Sequence, residues 1–160
     1  MTPASTAEEL AAEVEREQAT SAFKVTFAPD VARVARLRLI TRASLRRWAV
    51  AEPLAEDVVL SVSELVTNAI QHGSGRVALR VRFDASELRV EVSDESAVPA
   101  KRREAAVDDI SGRGLILVDA LATSWGVRQQ GRTTWCVFHV PVAGQGDHLC
   151  EVVTERTANA

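Results

Sequence analysis

A change of hydrophobic period near residue 73 restricts this chain more than any other feature. Before it, apolar residues recur at helical spacing. Val31, Val34, Ala35, Leu37, Leu39, Ala43, Leu45 and Trp48 mark a helix that ends near residue 48, with Asp30 as its N-cap. Pro53 breaks the chain, and a second helix runs from about 54 to 72 and stops at Gly73. After that point "RVALRVRF" (76–83) and "ELRVEVS" (87–93) alternate apolar and polar residues around a short turn, the pattern of a β-hairpin. "SWGVRQ" (124–129) and "TTWCVFHV" (133–140) form a second hairpin, and "FKVTF" (23–27) adds a strand ahead of the helices. "GLILVDALA" (114–122) reads as a short apolar helix. Helices gathered early and strands late imply an α+β, two-layer sandwich: a mixed, mostly antiparallel sheet with helices on one face.

The 160 residues suit one domain. We assign it to residues 22–142, with a flexible arm at 1–21 and a tail at 143–160. With 46% hydrophobic residues the chain can bury a core without disulfides or a metal. Cys136 falls in an apolar strand and reads as a core residue; Cys150 lies in the tail, so the pair makes neither a disulfide framework nor a metal site. A net charge of −3 lacks the broad basic surface of a nucleic-acid binder. Arg33, Arg36, Arg38, Arg42, Arg46 and Arg47 nevertheless crowd the first helix. They read as a solvated face, with an acidic protein partner as the alternative. No stretch approaches the ~20 apolar residues that span a bilayer. The first residues, "MTPASTAEELAAEVEREQ", have neither the basic start nor the apolar run of a signal peptide. A cytoplasmic protein is expected.

Three features carry chemistry. In the second helix, about 100° per residue places Val58, Val62, Leu65 and Ala69 on one stripe. Ser61, Glu64, Asn68 and His72 fall on the neighbouring stripe, at the edge of the core. Polar groups at a core edge need partners. Taken alone, the ladder reads better as a helix flank, with His72 meeting the helix C-terminal dipole. Asp94 stands where the strand "ELRVEVS" ends and a long loop begins. It is either a turn former or a recessed carboxylate able to accept from a ligand amine. Finally, Gly112-Arg113-Gly114 leads into the short helix. Such a turn is either a hinge or a place where backbone N–H groups meet an anion.

In this order and spacing, "ELVTNAIQH", a hairpin ending in Asp94 and a long loop closing on "GRGL" resemble the GHKL superfamily of ATP-binding domains, over about residues 23–140. "GRGLILVDALATSWGV" and "GRTTWCVFHV" are similar to its small anti-sigma-factor serine kinases. The resemblance implies a Bergerat-type ATP-binding fold that takes ATP and Mg²⁺. It implies that Asn68 holds Mg²⁺, Glu64 is the general base, Asp94 reads the adenine amino group and Thr134 helps hold the base. Gly112, Arg113, Gly114 and Leu115 would close on the phosphates, with His72 beside the nucleotide. It further implies a sigma factor and a STAS-type antagonist as partners, the antagonist phosphorylated on serine or threonine, and a possible homodimer, with no nucleic acid and no membrane. The alternatives are an ATP-binding adaptor without catalysis and a histidine-kinase-type domain acting in trans. One departure stands out: many members of the superfamily carry glycine two residues after the adenine-reading acid, where this chain has Ser96. Serine lacks glycine's freedom at positive φ, which predicts altered nucleotide affinity and lid geometry.

Overall fold

A computed structural model describes residues 21–84, 86–96 and 112–141. The arm, the tail with Cys150, and residues 97–111 of the long loop lie outside the described residues. Strand β1 (Ser21–Phe27) leads into helix α1 (Ala32–Arg47), helix α2 (Glu52–His72), the hairpin β2 (Val77–Asp84) and β3 (Glu87–Ser93), helix α3 (Gly112–Leu121), and the hairpin β4 (Ser124–Arg128) and β5 (Thr133–His139). The spatial order is β1-β2-β3-β5-β4. Every described pairing is antiparallel, so the sheet is not mixed. The reason lies in the connections: two hairpins supply two pairings, and β5 returns from the edge strand β4 to insert beside β3, opposite in direction.

Helix α1 is flanked by Val31, whose side chain makes no capping bond; one residue earlier the Asp30 Oδ1 accepts the Ala32 N–H at 2.9 Å. Leu37, Thr41 and Leu45 recur every four residues and are buried. Thr41 tolerates burial because its hydroxyl donates to the Leu37 carbonyl at 2.8 Å. The helix closes in a Schellman arrangement, with Val50 N–H donating to Leu45 O and Ala49 N–H to Arg46 O. Ala49 takes the left-handed position at φ 56°.

Pro53 does not break the chain; it sits in the first turn of α2. A missing N–H costs nothing there, since first-turn donors have no partner within the helix. Ala55, Val58, Val59, Val62, Leu65, Val66 and Ala69 are buried on one side of α2. Arg42 grips Glu56 through two hydrogen bonds of 3.0 and 3.1 Å, tying α1 to α2. Both groups are solvent-accessible, so the pair contributes at most about 1 kcal/mol.

The sheet register explains why the helices lie on one face. Phe23, Val81, Val90 and Cys136 align across β1, β2, β3 and β5, as do Val25, Leu79 and Val92. All of them join the core formed with α1, α2 and α3. The opposite face carries Lys24, Arg80, Arg82, Arg89, Glu91, Arg128 and Trp135 in alternating positions. There Arg128 donates to Glu91 at 2.6 Å, and Arg89 lies 5.3 Å over the Trp135 ring.

Cys136 is a core residue, and burial pushes its thiol pKa up to about 12. The raised value means that the folded state holds the proton more tightly. Its stabilising contribution is complete below the ordinary value of 9.0 and is lost as pH rises from there towards 12. In a Cys150→Ser protein, a thiol reagent at pH 8 should therefore label nothing until urea is added, and then label one thiol. Rapid labelling of the native protein would contradict a buried Cys136.

Candidate functional site

The polar ladder of α2 grades from core to surface. Ser61 is fully buried and its Oγ is the one buried side-chain oxygen or nitrogen without a partner among the described residues. Glu64 and Asn68 are half-buried and His72 is exposed. The helix thus runs obliquely out of the core, and its polar edge becomes more exposed towards His72.

Two parts of the chain meet that edge. Gly114, in the first turn of α3, packs on Glu64. A methyl group placed on Gly114 would lie 2.7 Å from Glu64 Oε2. A side chain at this position would have to push the Glu64 carboxylate aside. At the far end of α2, Gly73 lies against Asp94. A methyl group on Gly73 would collide with the Ala69 carbonyl oxygen and lie 2.7 Å from both Cγ and Oδ2 of Asp94. Gly73 itself has φ −83° and ψ −172°, an extended conformation open to any residue. Its role is therefore close approach rather than backbone freedom, and sequence patterning had marked it only as a helix stop. Gly73→Ala should press on both the Ala69 carbonyl and the Asp94 carboxylate, at a cost of about 1–3 kcal/mol in stability. Urea melts would read the loss, and melts with ATP would show whether displacing Asp94 also weakens nucleotide binding; an unchanged midpoint would show that the Asp94 loop and the end of α2 yield freely.

Asp94 is buried, with 8% of its surface exposed. Its N–H donates to the Arg132 carbonyl at 3.0 Å, and its Oδ1 accepts the Ser96 N–H at 2.7 Å. Glu95 N–H donates to Ser74 O at 2.8 Å, and the Glu95 carboxylate accepts the Arg76 N–H at 2.9 Å. The segment 94–96 is thus held on one side by the chain leaving α2 and on the other by the β4–β5 turn. Ser96 is buried and is not among the residues with positive φ. The departure from glycine there imposes no left-handed strain, and its N–H fixes the Asp94 carboxylate instead.

Thr134 is half-buried on β5, opposite Val92 and Val127, so it shares the helix-facing side of the sheet. Its neighbour Thr133 points the other way; its hydroxyl bonds the Ser93 hydroxyl at 2.8 Å and donates to Gln129 Oε1 at 2.9 Å. Helix α3 begins two residues earlier than expected, so Gly112 and Arg113 belong to its first turn. Weak helix formers are tolerated there, because the N–H groups of a first turn need no helical partner. The Leu115 side chain is 7% exposed and lies in the core, which leaves its backbone as the part able to meet a ligand. The features that sequence reading missed are Gly73, Arg132 and the Ser74–Arg76 strap; the glycine-rich "HGSGR" was the available signal.

Chemically, the edge offers a carboxylate and an amide oxygen one helical turn apart, with a second carboxylate at its end. Among the described residues no group of three His, Cys, Asp or Glu could hold a metal. A Mg²⁺ ion fits this donor set only as a shared ion, with Asn68 giving one oxygen and phosphates and water giving the rest. No helix among the described residues is long and apolar enough to cross a membrane.

Comparison with known proteins adds two findings. The histidine kinase-like ATPase domain family matches residues 27–138. An uncharacterized protein of Streptomyces coelicolor is 37% identical over 75 residues, covering 44% of this chain and 71% of that protein.

Proposed function

This chain belongs to the histidine kinase-like ATPase domain family, and from that premise we propose that it binds ATP with Mg²⁺ and works as a partner-switching protein kinase. In this reading it sequesters a sigma factor and phosphorylates a STAS-type antagonist on serine or threonine. The observation that carries the nucleotide reading is the α2 edge itself. Glu64, Asn68 and His72 line one helix, Gly114 closes on the Glu64 end, and Gly73 seats Asp94 at the other.

The roles follow from chemistry. Asp94 accepts the adenine amino group, and Thr134 supports the base from β5. Asn68 would hold Mg²⁺ through its side-chain oxygen, and the ion would there neutralise phosphate charge. The first turn of α3, with Gly112, Arg113, Gly114 and the Leu115 backbone, presents N–H groups to the phosphates. Glu64 takes the proton of the acceptor hydroxyl as that oxygen bonds to the γ-phosphorus. The bond to the β,γ-bridging oxygen breaks and ADP leaves. His72, exposed at the helix end, supports the nucleotide from the side.

For the partners, support comes from α1. Arg42 and Arg46 pair with Glu56 and Glu52, whereas Arg33, Arg36, Arg38 and Arg47 make no ion pair among the described residues. Leu39 lies among them with 64% of its surface exposed. An exposed apolar side chain with Arg36 and Arg42 three residues away on either side suits an acidic protein surface.

The test is incubation of the full chain with γ-labelled ATP and extract of the native cell. Acid-stable label on a second protein is the expected result. Acid-labile label would move the reading to a histidine kinase acting in trans. ATP binding without transfer would leave an ATP-binding adaptor.

A further inference from the structure

We infer that Arg132 is a positioning residue that holds the Asp94 carboxylate in place and so sets the selectivity of the site for an adenine base. The inference rests on the nucleotide reading given above. Its basis is a pair of opposed hydrogen bonds. The Arg132 carbonyl accepts the Asp94 N–H at 3.0 Å, and the Arg132 Nε donates back to the Ser96 carbonyl at 2.8 Å. Between those two anchors, Ser96 N–H grips Asp94 Oδ1 at 2.7 Å. Residues 94 and 96 are thus bracketed by one arginine, and the bracket encloses the turn that orients the carboxylate.

The turn that presents Arg132 is itself unusual. Gln129, Gln130 and Gly131 all have positive φ, at 54°, 56° and 88°. Two successive non-glycine residues in the left-handed region are costly, and such conformations persist where surrounding contacts hold them. Here the contacts are Arg132 N–H on Gln129 O at 3.2 Å and Thr133 Oγ1 on Gln129 Oε1 at 2.9 Å. The strained turn ends on the residue that braces Asp94. The opposite side of the segment is braced independently, by Gly73 against Asp94 and by Ser74 O on Glu95 N–H. Removing the Arg132 side chain therefore frees the Ser96 carbonyl, one anchor of the turn that orients the carboxylate, and leaves the backbone bond of residue 132 intact.

The consequence is chemical selectivity. Adenine offers an amino donor at position 6, where guanine offers a carbonyl acceptor. A fixed carboxylate rewards the first and repels the second; one free to rotate or withdraw does so less. Small misplacements of such groups cost about tenfold to a hundredfold.

The experiment measures the dissociation constants of Mg²⁺–ATP and Mg²⁺–GTP for the full chain, for Arg132→Ala and for Arg132→Lys. Lysine keeps the charge and the stem but lacks Nε. The wild-type chain should prefer ATP, and both variants should lose at least about tenfold of the ATP/GTP ratio, chiefly through weaker ATP binding. Their melting temperatures without nucleotide should stay within a few degrees of wild type, since the lost side chain is exposed. A folded variant that keeps the wild-type ratio overturns the inference, as does a wild-type chain that binds both nucleotides equally. A wild-type chain that binds neither overturns the nucleotide reading, and this inference with it.

Discussion

Glu64→Gln is expected to slow phosphoryl transfer by about 10²–10⁴-fold while leaving ATP affinity nearly unchanged. The side chain is half-buried on α2 and faces Gly114 of α3. Glutamine has nearly the same shape and a similar helix propensity, so the packing against Gly114 survives. What disappears is an acceptor for the hydroxyl proton. Single-turnover transfer with saturating ATP isolates that step from binding. A variant that transfers at the wild-type rate would remove Glu64 from the role of base. A variant that fails to bind ATP would point instead to a role in closing α3 onto α2.

Asn68→Ala should abolish most of the stabilisation that ATP–Mg²⁺ gives the fold. A ligand at 100 times its dissociation constant stabilises by about 2.7 kcal/mol. For a domain of this size that raises the melting temperature by roughly 5–10 °C. Asn68 is half-buried one turn beyond Glu64, where its oxygen is the ladder's neutral, hard donor. Alanine removes that donor and suits a helix, so the protein without nucleotide should melt close to wild type. The informative comparison is the ATP-dependent shift with and without Mg²⁺. If Asn68→Ala keeps the Mg²⁺-dependent part of the shift, the metal is held elsewhere. Together the two substitutions separate binding from chemistry along a single helix face.

The elements themselves were legible because each carries a local signal. The alternation in "RVALRVRF" and "ELRVEVS" gave β2 and β3 within a residue or two of their bounds, since period-2 burial is written into each strand. The apolar stripe of α2 was legible for the same reason. Pro53 and the start of α3 were misplaced because first-turn residues are exempt from the propensities that govern a helix interior. The sheet was expected to be mixed because the destination of β5 is not a local property. Its insertion between β3 and β4 is a choice among long-range pairings.

The candidate site divides along the same line. The sequence by itself determined the residue types and their spacing: Glu64 and Asn68 one turn apart, an acid ending β3 and a glycine pair opening α3. Those are consequences of helical and strand periodicity, which act over a few residues. Only the tertiary structure decided that Gly73 is a seat for Asp94 and not merely a helix stop. It alone placed Gly114 on Glu64 and let Ser96 serve without the freedom of glycine. It also decided that Arg132, some forty residues beyond Asp94, braces the carboxylate. These contacts join segments far apart in sequence, and close packing rather than local propensity sets them.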